Sequence, residues 1–229
     1  MCPSHISIII PTLNEAFYLQ KNLPLLKRKN VDITVCDGGS SDQTVLIAQQ
    51  LGIKIKSCRP GRAQQLNNGA DDARGPILLF LHADTVLPEK FEDIIEKTLE
   101  PPDVIAGAFR LSIDAPKPIF RLIEAGANFR SRVLKMPYGD QGLFVRKEAF
   151  QGTGGYPEQP IMEDFCLVRN LKKHGRIRIA SAYVKTSARR WLQQGVIKTT
   201  LKNQCIVAGF LLGVSPRRLA HFYRTREKL

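Results

Sequence analysis

Strand-like and helix-like segments alternate through the first hundred residues, and this alternation constrains the fold more than any other feature. Apolar or β-branched runs at 5–10, 31–36, 53–55 and 76–81 precede stretches with helical patterning near 15–28, 41–51, 62–73 and 89–99. Repeated units of this kind are typical of βαβ crossovers around a mostly parallel sheet. The run PILLFL (76–81) is apolar throughout, as in a central strand that is covered on both faces. The sequence therefore predicts an α/β fold with helices flanking the sheet.

The pattern becomes less regular after residue 100. Strands are predicted at 104–113, 142–146, 176–180 and 183–187, with helices over 119–134 and from about 162. From about 192 onward the sequence predicts mostly helix. A chain of 229 residues is long enough for one well-filled core, and we expect a single domain over 1–229.

The positive charge is concentrated in the last quarter of the chain. Residues 169–229 hold fifteen Lys/Arg and one acidic residue, for a net charge of +14, whereas residues 1–168 sum to −1. A basic segment of this kind can meet nucleic acid, anionic lipid or a phosphorylated small molecule. A solvated face that keeps the protein soluble explains most of these charges equally well.

Cysteine usage and hydropathy place the protein in the cytoplasm. The five cysteines are scattered and form no CxxC pair, which favours free thiols over a disulfide framework or a zinc site. No secretory signal is visible, and the longest uncharged apolar run, CIVAGFLLGV (205–214), falls well short of the ~20 residues that span a bilayer. That run predicts either peripheral membrane contact or packing in a homodimer.

Short polar clusters follow three of the predicted strands. They are PTLNE (11–15), DGGSSD (37–42) and HADT (82–85). In open α/β sheets ligands bind just beyond the carboxyl ends of the strands. If the three strands are neighbours, the clusters converge on one crevice, which we take as the candidate site. Ser40 and Ser41, or Asp42, are candidates to cap the helix that follows.

These clusters, with MEDF (162–165) and SARRW (187–191), resemble in order and spacing the family 2 glycosyltransferases with the GT-A, Rossmann-like fold. The resemblance covers nearly the whole chain. GRAQQLNNGA (61–70) and PYGDQGLF (137–144) are similar to a bacterial subfamily associated with arsenosugar biosynthesis. The resemblance implies a nucleotide-sugar-binding half over about 1–100, an acceptor-binding and catalytic half over about 101–191, and a helical basic C-terminal segment over about 192–229.

The resemblance assigns the donor nucleotide to residues of the first half. It implies that Pro11 and Glu15 line the pocket, and that the carboxylate of Asp37 accepts from a ring N–H of the base, as in a UDP-sugar. An aspartate before GlyGly is otherwise a turn former. Arg62 is expected at the base or the diphosphate, with an exposed helix arginine as the alternative.

Negative charge develops on the diphosphate as it leaves, and a cation can stabilise it. A carboxylate that holds Mg²⁺ or Mn²⁺ stabilises the developing charge, and the resemblance implies that Asp84 is this ligand. The family normally has an aspartate where this chain has His82. For His82 we expect packing or a hydrogen bond to the ribose rather than ligation.

Transfer with inversion requires a base for the acceptor hydroxyl. By the resemblance Asp164 is that general base and Glu163 an orienting or acceptor-binding neighbour, with Asp140 as the rival base. Asp140 and Gln141 are predicted to contact acceptor hydroxyls. Two further residues, Arg190 and Trp191, match the family's arginine–tryptophan motif and are expected to meet the diphosphate or a sugar face.

The expected activity is an inverting transfer from a nucleotide-diphosphate sugar to a small or lipid-linked hydroxyl acceptor. A sugar-phosphate nucleotidyltransferase is the alternative enzyme, although PTLNE does not fit its Gly-rich loop. The alternative outside catalysis is a module that binds nucleic acid or an anionic membrane through residues 169–229. Aromatic residues among the basic ones are too few for a nucleic-acid stacking platform, so we expect no nucleic-acid partner.

Overall fold

A computed structural model describes residues 5–27 and 31–225 of the chain. Its strands are β1 (Ile6–Thr12), β2 (Asp32–Asp37), β3 (Lys54–Ser57), β4 (Ile77–Phe80), β5 (Thr85–Val86), β6 (Val104–Asp114), β7 (Leu143–Arg146) and β8 (Arg176–Ser187). Its α-helices are α1 (Ala16–Lys27), α2 (Thr44–Gln50), α3 (Arg62–Asp71), α4 (Phe91–Leu99), α5 (Pro118–Leu134), α6 (Lys147–Gly152), α7 (Glu163–Leu171), α8 (Arg189–Gln194), α9 (Val196–Leu211) and α10 (Pro216–Thr225).

The strands form one eight-stranded sheet in the order β3-β2-β1-β4-β7-β6-β8-β5. The first four are parallel to one another, as the βαβ pattern predicts. Beyond β4, strand β7 pairs antiparallel with both β4 and β6. The sheet is therefore continuous from the first half of the chain into the second, and β7 is the strand that joins them.

One strand replaces the two short strands predicted at 176–180 and 183–187. Strand β8 pairs parallel with β6 on either side of residues 180–182, with irregularities in register between Val104 and Ala106 and between Ala108 and Arg110. A bulge of this kind leaves a residue unpaired and interrupts the alternation of buried and exposed side chains. The interruption explains why the sequence pattern divides a strand that is continuous in the structure.

The sheet is buried on both faces at its centre. Ile8 of β1 and Leu79 of β4 pack on the face covered by α1, α2 and α4. Ile9 and Leu78, their chain neighbours, pack on the opposite face against α3 and α7. Burial on both faces accounts for the unbroken apolar sequence of these strands.

Helix α3 lies unusually close to the sheet because of Gly69. A Cβ atom at this position would lie 2.4 Å from a side-chain carbon of Ile9. The close approach lets Gln65 donate from Nε2 to the carbonyls of Thr12 (2.8 Å) and Cys36 (2.7 Å). Gln65 thereby ties the first turns of α3 to the carboxyl ends of β1 and β2, which places Arg62 beside the strand ends.

The C-terminal segment is helical from Arg189, slightly earlier than the sequence predicts. None of the helices in the described ranges has both the length and the apolar character needed to cross a bilayer. Cys36, Cys58, Cys166 and Cys205 are free thiols, as predicted, and Cys2 lies outside the described residues.

Candidate active site at the strand ends

The three polar clusters meet, because β2 and β4 are the two neighbours of β1. The backbone amide of Ser41 donates to Asn14 Oδ1 at 2.9 Å, which links the second cluster to the first. Asn14 has a positive φ of 56°, a conformation that asparagine tolerates better than most residues. The predicted convergence of the clusters is therefore present in the structure.

Asp37 organises the turn after β2. Its carboxylate accepts hydrogen bonds from the backbone amides of Gly39 and Ser40, from the Ser40 hydroxyl and from the Thr12 hydroxyl. These four donors match the roughly four acceptor positions of a carboxylate, and only 3% of the residue is exposed. This geometry is that of a turn-forming aspartate, the alternative role that the sequence offers for Asp37. To accept from a nucleotide base, Asp37 would have to exchange one of these donors.

Asp42, and neither serine before it, holds the start of the following helix. Helix α2 begins at Thr44, whose amide donates to Asp42 Oδ1 at 2.9 Å. The other oxygen accepts from the amide of Ala16 at 3.1 Å. One short carboxylate thus satisfies free N–H groups at two helix starts, so of the two alternatives from the sequence the structure favours Asp42 over Ser40 and Ser41.

Glu15 forms a two-point ion pair with Arg189. The guanidinium donates to both carboxylate oxygens, at 2.8 and 3.1 Å, and stacks 4.7 Å from the ring centre of Tyr18. The pair fastens the SARRW segment to the loop after β1, across most of the chain. The sequence places Arg189 in the arginine–tryptophan motif with Arg190 and Trp191, but it does not predict Glu15 as its partner, because the two residues are 174 positions apart.

Asp84 lies partly buried between positive and negative neighbours. Burial raises its pKa, Glu15 raises it further, and Arg189 and Arg62 oppose these effects. Among the described residues no three His, Cys, Asp or Glu side chains are grouped as a metal site. A single carboxylate whose negative charge is poorly compensated still fits a Mg²⁺ or Mn²⁺ ion that takes its remaining ligands from phosphate and water.

Arg62 connects the strand-end clusters with the acidic pair of α7. Its Nε lies 3.4 Å from Glu163 Oε1, and its side chain is 40% exposed. Burial and the neighbouring charge of Asp164 raise the pKa of Glu163, whereas Arg62 lowers it. In the structure Arg62 is therefore neither a free exposed arginine nor a residue facing only the donor side.

The other member of the acidic pair, Asp164, is held by backbone amides. Gly139 donates to Oδ2 at 2.9 Å, and Phe165 donates to Oδ1 at 2.7 Å. A Cβ atom at Gly139 would lie 2.9 Å from an Arg62 nitrogen, 3.3 Å from His82 Nε2 and 3.5 Å from Asp164 Oδ2. These three side chains consequently surround one point, and a side chain at position 139 would displace the end of Arg62.

Three buried polar atoms near this point have no hydrogen-bond partner: His82 Nε2, Asp140 Oδ1 and Trp191 Nε1. Burial lowers the pKa of His82 well below its usual value, and Arg62 and Arg190 lower it further, so its imidazole is neutral at pH 7. Burial likewise raises the pKa of Asp140. Unpaired buried polar atoms are costly, and their concentration here is typical of a ligand site.

Gln141 has a structural position instead of the predicted contact with an acceptor. It is 0% exposed, and its amide donates to the Phe109 carbonyl (3.0 Å) and the Ser131 hydroxyl (3.2 Å). Its oxygen accepts from Arg130 at 3.2 Å and from the Tyr138 amide at 3.3 Å. With both ends of the side chain used by the protein, the expected acceptor contact is wrong for Gln141.

Replacing Gln141 with methionine should therefore destabilise the fold. The change keeps the size of the side chain but strands a buried carbonyl and several donors, at a cost of about 2–3 kcal/mol. Thermal unfolding followed by circular dichroism measures this loss. Gln50→Met, on the exposed end of α2, is the matched control and should leave the melting temperature unchanged. Equal melting temperatures for the two variants would contradict the structural role.

A cavity of about 990 Å³ opens from the acidic cluster. Asp140, Glu163 and Asp164 line it, together with Arg62 and His82. Arg190 and Trp191 also reach its wall, whereas Pro11, Glu15, Asp37 and Asp84 do not. The predicted donor and acceptor residues thus lie on two sides of Arg62. Arg130 and Tyr138 line the cavity as well; the sequence analysis gave neither a role, although Tyr138 lies in PYGDQGLF.

Comparison with known families gives one match over most of the chain. The family model described as "Glycosyl transferase family 2" matches residues 7–155, from β1 to just beyond α6. The match ends before Glu163 and Asp164. Curated relatives described as PGL/p-HBAD biosynthesis glycosyltransferases, from Mycobacterium bovis and Mycobacterium tuberculosis, are 33% identical over 167 residues. The alignment covers 66% of this chain and 62% of theirs, so it spans less than two thirds of those proteins.

Solved structures with a similar fold include S. aureus TarS 1–349, with a TM-score of 0.64 and 17% identity over 80% of this chain and 60% of that one. The mannosyltransferase PcManGT from Pyrobaculum calidifontis, in complex with GDP-Man and Mn²⁺, gives a TM-score of 0.62 at 19% identity, covering 79% of this chain and 56% of that one. Glucosyl-3-phosphoglycerate synthase from Mycobacterium tuberculosis, in complex with Mg²⁺ and UDP, gives a TM-score of 0.55 at 21% identity, covering 80% of this chain and 70% of that one. At such identities the likeness concerns the fold, and it confirms the predicted fold class.

Proposed function

The chain belongs to glycosyltransferase family 2, and from that premise we propose that it transfers a sugar from a nucleoside diphosphate donor to a hydroxyl acceptor with inversion at the anomeric carbon. One observation carries the proposal. Arg62 pairs with Glu163 beside Asp164 while its helix is tied by Gln65 to the ends of β1 and β2. In this proposal Arg62 lies between the donor side and the acceptor side of one site. Membership of a glycosyltransferase family also sets aside the nucleotidyltransferase and the purely non-enzymatic module.

The donor lies against the strand ends in this proposal. Pro11, Glu15 and Asp37 border the base and ribose, with Asp37 exchanging a hydroxyl donor for the ring N–H of uracil. UDP-sugars are favoured for that reason. His82 is neutral, so its unpaired Nε2 contributes one hydrogen bond to the ligand and no charge. Arg190 is exposed at the edge of the cavity and suits the diphosphate.

Asp84 is the residue we assign to a divalent cation. Its carboxylate oxygens suit Mg²⁺ or Mn²⁺, and a cation would offset the unfavourable charge of Glu15 beside it. Bound to the diphosphate, the ion would supply electrostatic stabilisation of the leaving group. Structures of similar fold contain Mn²⁺ or Mg²⁺ with a nucleotide, which supports this assignment.

Asp164 is the general base that we propose. The acceptor oxygen forms a bond to the anomeric carbon, the bond from that carbon to the diphosphate oxygen breaks, and the hydroxyl proton passes to the carboxylate. The two backbone amides hold Asp164 in place, and its remaining lone pairs are available to the acceptor. Glu163, paired with Arg62, orients its neighbour. Asp140 is the rival base, since one of its oxygens is unpaired.

The link to arsenosugar biosynthesis stays a prediction that rests on motif likeness. The curated relatives are described by another pathway, PGL/p-HBAD biosynthesis. Purified protein should be tested with UDP-, GDP- and TDP-sugars, with and without Mn²⁺, by calorimetry and by release of nucleoside diphosphate. We expect UDP-sugars to bind most tightly and Mn²⁺ to strengthen binding. Absence of binding by every nucleotide sugar would contradict the proposal.

Cytoplasmic placement with peripheral membrane contact is the location that we propose. At the turn between α9 and α10, Leu211 and Leu212 are exposed next to Arg217 and Arg218. Exposed leucines beside cations suit an anionic membrane surface. A homodimer formed through the same leucines is the alternative, and sedimentation velocity with and without lipid vesicles separates the two.

A further inference from the structure

The cavity beside Asp164 has walls of two kinds. Arg62, His82 and Asp164 are gathered around Gly139, whereas α5 and α9 contribute mostly apolar side chains to the rest, with Thr200, Asn203 and Gln204 as the polar members of α9. Ile119, Leu122 and Ile123 come from α5, and Ile197, Leu201 and Val207 come from α9. The two helices therefore form an apolar passage that leads to the proposed base.

The apolar passage remains open at its outer end. Leu122 of α5 and Ile197 of α9 both line the cavity, and each is 70% exposed. Apolar side chains grouped at the mouth of a cavity are typical of a site for an apolar ligand. The volume of about 990 Å³ lies at the upper end of the range for ligand pockets, roughly 300–1,000 Å³.

A polyhydroxylated acceptor would match these walls poorly. Each hydroxyl group that is buried without a partner costs about as much as a lost hydrogen bond, and the side chains of α5 and α9 in the wall are mostly apolar. Two of the polar ones already have partners, since Thr200 donates to the Val196 carbonyl and Asn203 accepts from Tyr223. Unpaired polar atoms occur instead at His82 and Asp140, at the inner end beside Asp164, and at Trp191 in the wall next to Phe120. The cavity thus suits one hydroxyl group at its inner end and an apolar body along the remainder.

Resting on the proposed function, we infer that the acceptor is a hydrophobic alcohol, whose hydroxyl meets Asp164 while its hydrocarbon body lies between α5 and α9. The new bond joins the alcohol oxygen to the anomeric carbon as the nucleoside diphosphate leaves with its bonding electrons. The hydroxyl proton goes to Asp164. The product is an alkyl or aryl glycoside.

The chain contains its own reporter for this site. Trp191 is its single tryptophan and lies in the cavity wall, with its ring centre 6.1 Å from that of Phe120. Titrating the purified full chain with 1-hexanol, 1-octanol and 1-decanol should change the fluorescence of Trp191. The dissociation constant should fall about fourfold for each added methylene group, as expected for burial of hydrocarbon.

A matched pair of substitutions separates the cavity from the rest of the helix surface. Gly126 lines the cavity, and a Cβ atom there would meet nothing within 4 Å, so Gly126→Phe narrows the passage. Ala125 is its exposed neighbour and lines a different hollow, so Ala125→Phe adds the same ring outside the cavity. We expect Gly126→Phe to weaken 1-decanol binding at least tenfold and Ala125→Phe to leave it unchanged. Both variants should bind UDP as the unaltered protein does.

The outcomes separate this inference from the function on which it rests. No dependence on chain length, or equal effects of the two substitutions, would overturn the acceptor class even if UDP binds. Self-association that removes alcohol binding would overturn it as well, since a second copy would then cover the passage. If UDP-sugars fail to bind while the alcohols bind with the expected dependence, the proposed function fails and the apolar ligand site stands. Mass spectrometry of 1-decanol incubated with the preferred UDP-sugar should detect the decyl glycoside.

Discussion

Asp164→Asn should lower the rate of sugar transfer by about 10²–10⁴-fold, the usual effect of losing a positioned general base. Asparagine keeps the shape of the side chain and one of the two acceptor oxygens, so it retains one of the two hydrogen bonds from the amides of Gly139 and Phe165, and the fold should be retained at a small loss of stability. The turnover number with saturating donor measures the loss, and calorimetry should show unchanged UDP binding. Asp71→Asn, at the exposed end of α3, is the control and should keep full activity.

The same experiment distinguishes Asp164 from Asp140. Burial raises the pKa of Asp140, so a rate that needs its ionised form would fall on acidification at a higher pH than for an ordinary aspartate. Profiles of kcat/KM against pH for Asp164→Asn and Asp140→Asn separate the two. A larger loss in Asp140→Asn, with Asp164→Asn active, would reverse the assignments.

Asp84→Asn should abolish the stimulation by Mn²⁺ and lower transfer by about 10²–10³-fold, comparable to removal of one group that stabilises developing charge. Its effect on stability should be unusual. Burial and the charge of Glu15 both disfavour the ionised carboxylate, so the neutral amide should leave the melting temperature unchanged or higher. Activity, metal titration by calorimetry and thermal unfolding together test this expectation. Full stimulation by Mn²⁺ in the variant would refute the role of Asp84.

The sequence predicts the donor half well, for a physical reason. Strands β1 and β4 are buried on both faces, so their apolar runs are unambiguous, and the polar clusters after them lie where a parallel sheet binds ligands. The positions of Asp37 and Asp84 follow from that rule. The hydrogen-bond partners do not, because they depend on loop geometry: Asp42 holds two helix starts although Ser40 and Ser41 appear equally suitable.

The acceptor half is harder to predict because its contacts join distant parts of the chain. Asp140 and Gln141 are adjacent and equally polar, yet one lines the cavity and the other is fully buried against Phe109 and Ser131. Sequence periodicity cannot separate them within a single short turn. The apolar passage cannot be predicted from the sequence either. Its two walls come from α5 and α9, and nothing in the sequence of one helix shows that the other packs near it.

The position of β7 between β4 and β6 has a consequence for how such enzymes can be recombined. A fragment ending near residue 100 would keep β4 but lose its partner, and would expose a hydrophobic edge strand that invites aggregation. A chimera that borrows another acceptor specificity should therefore retain Leu143–Arg146 from the same parent as β4. Taking both strands from one parent keeps this pairing intact, whereas a crossover between β4 and β7, near the middle of the gene, separates them.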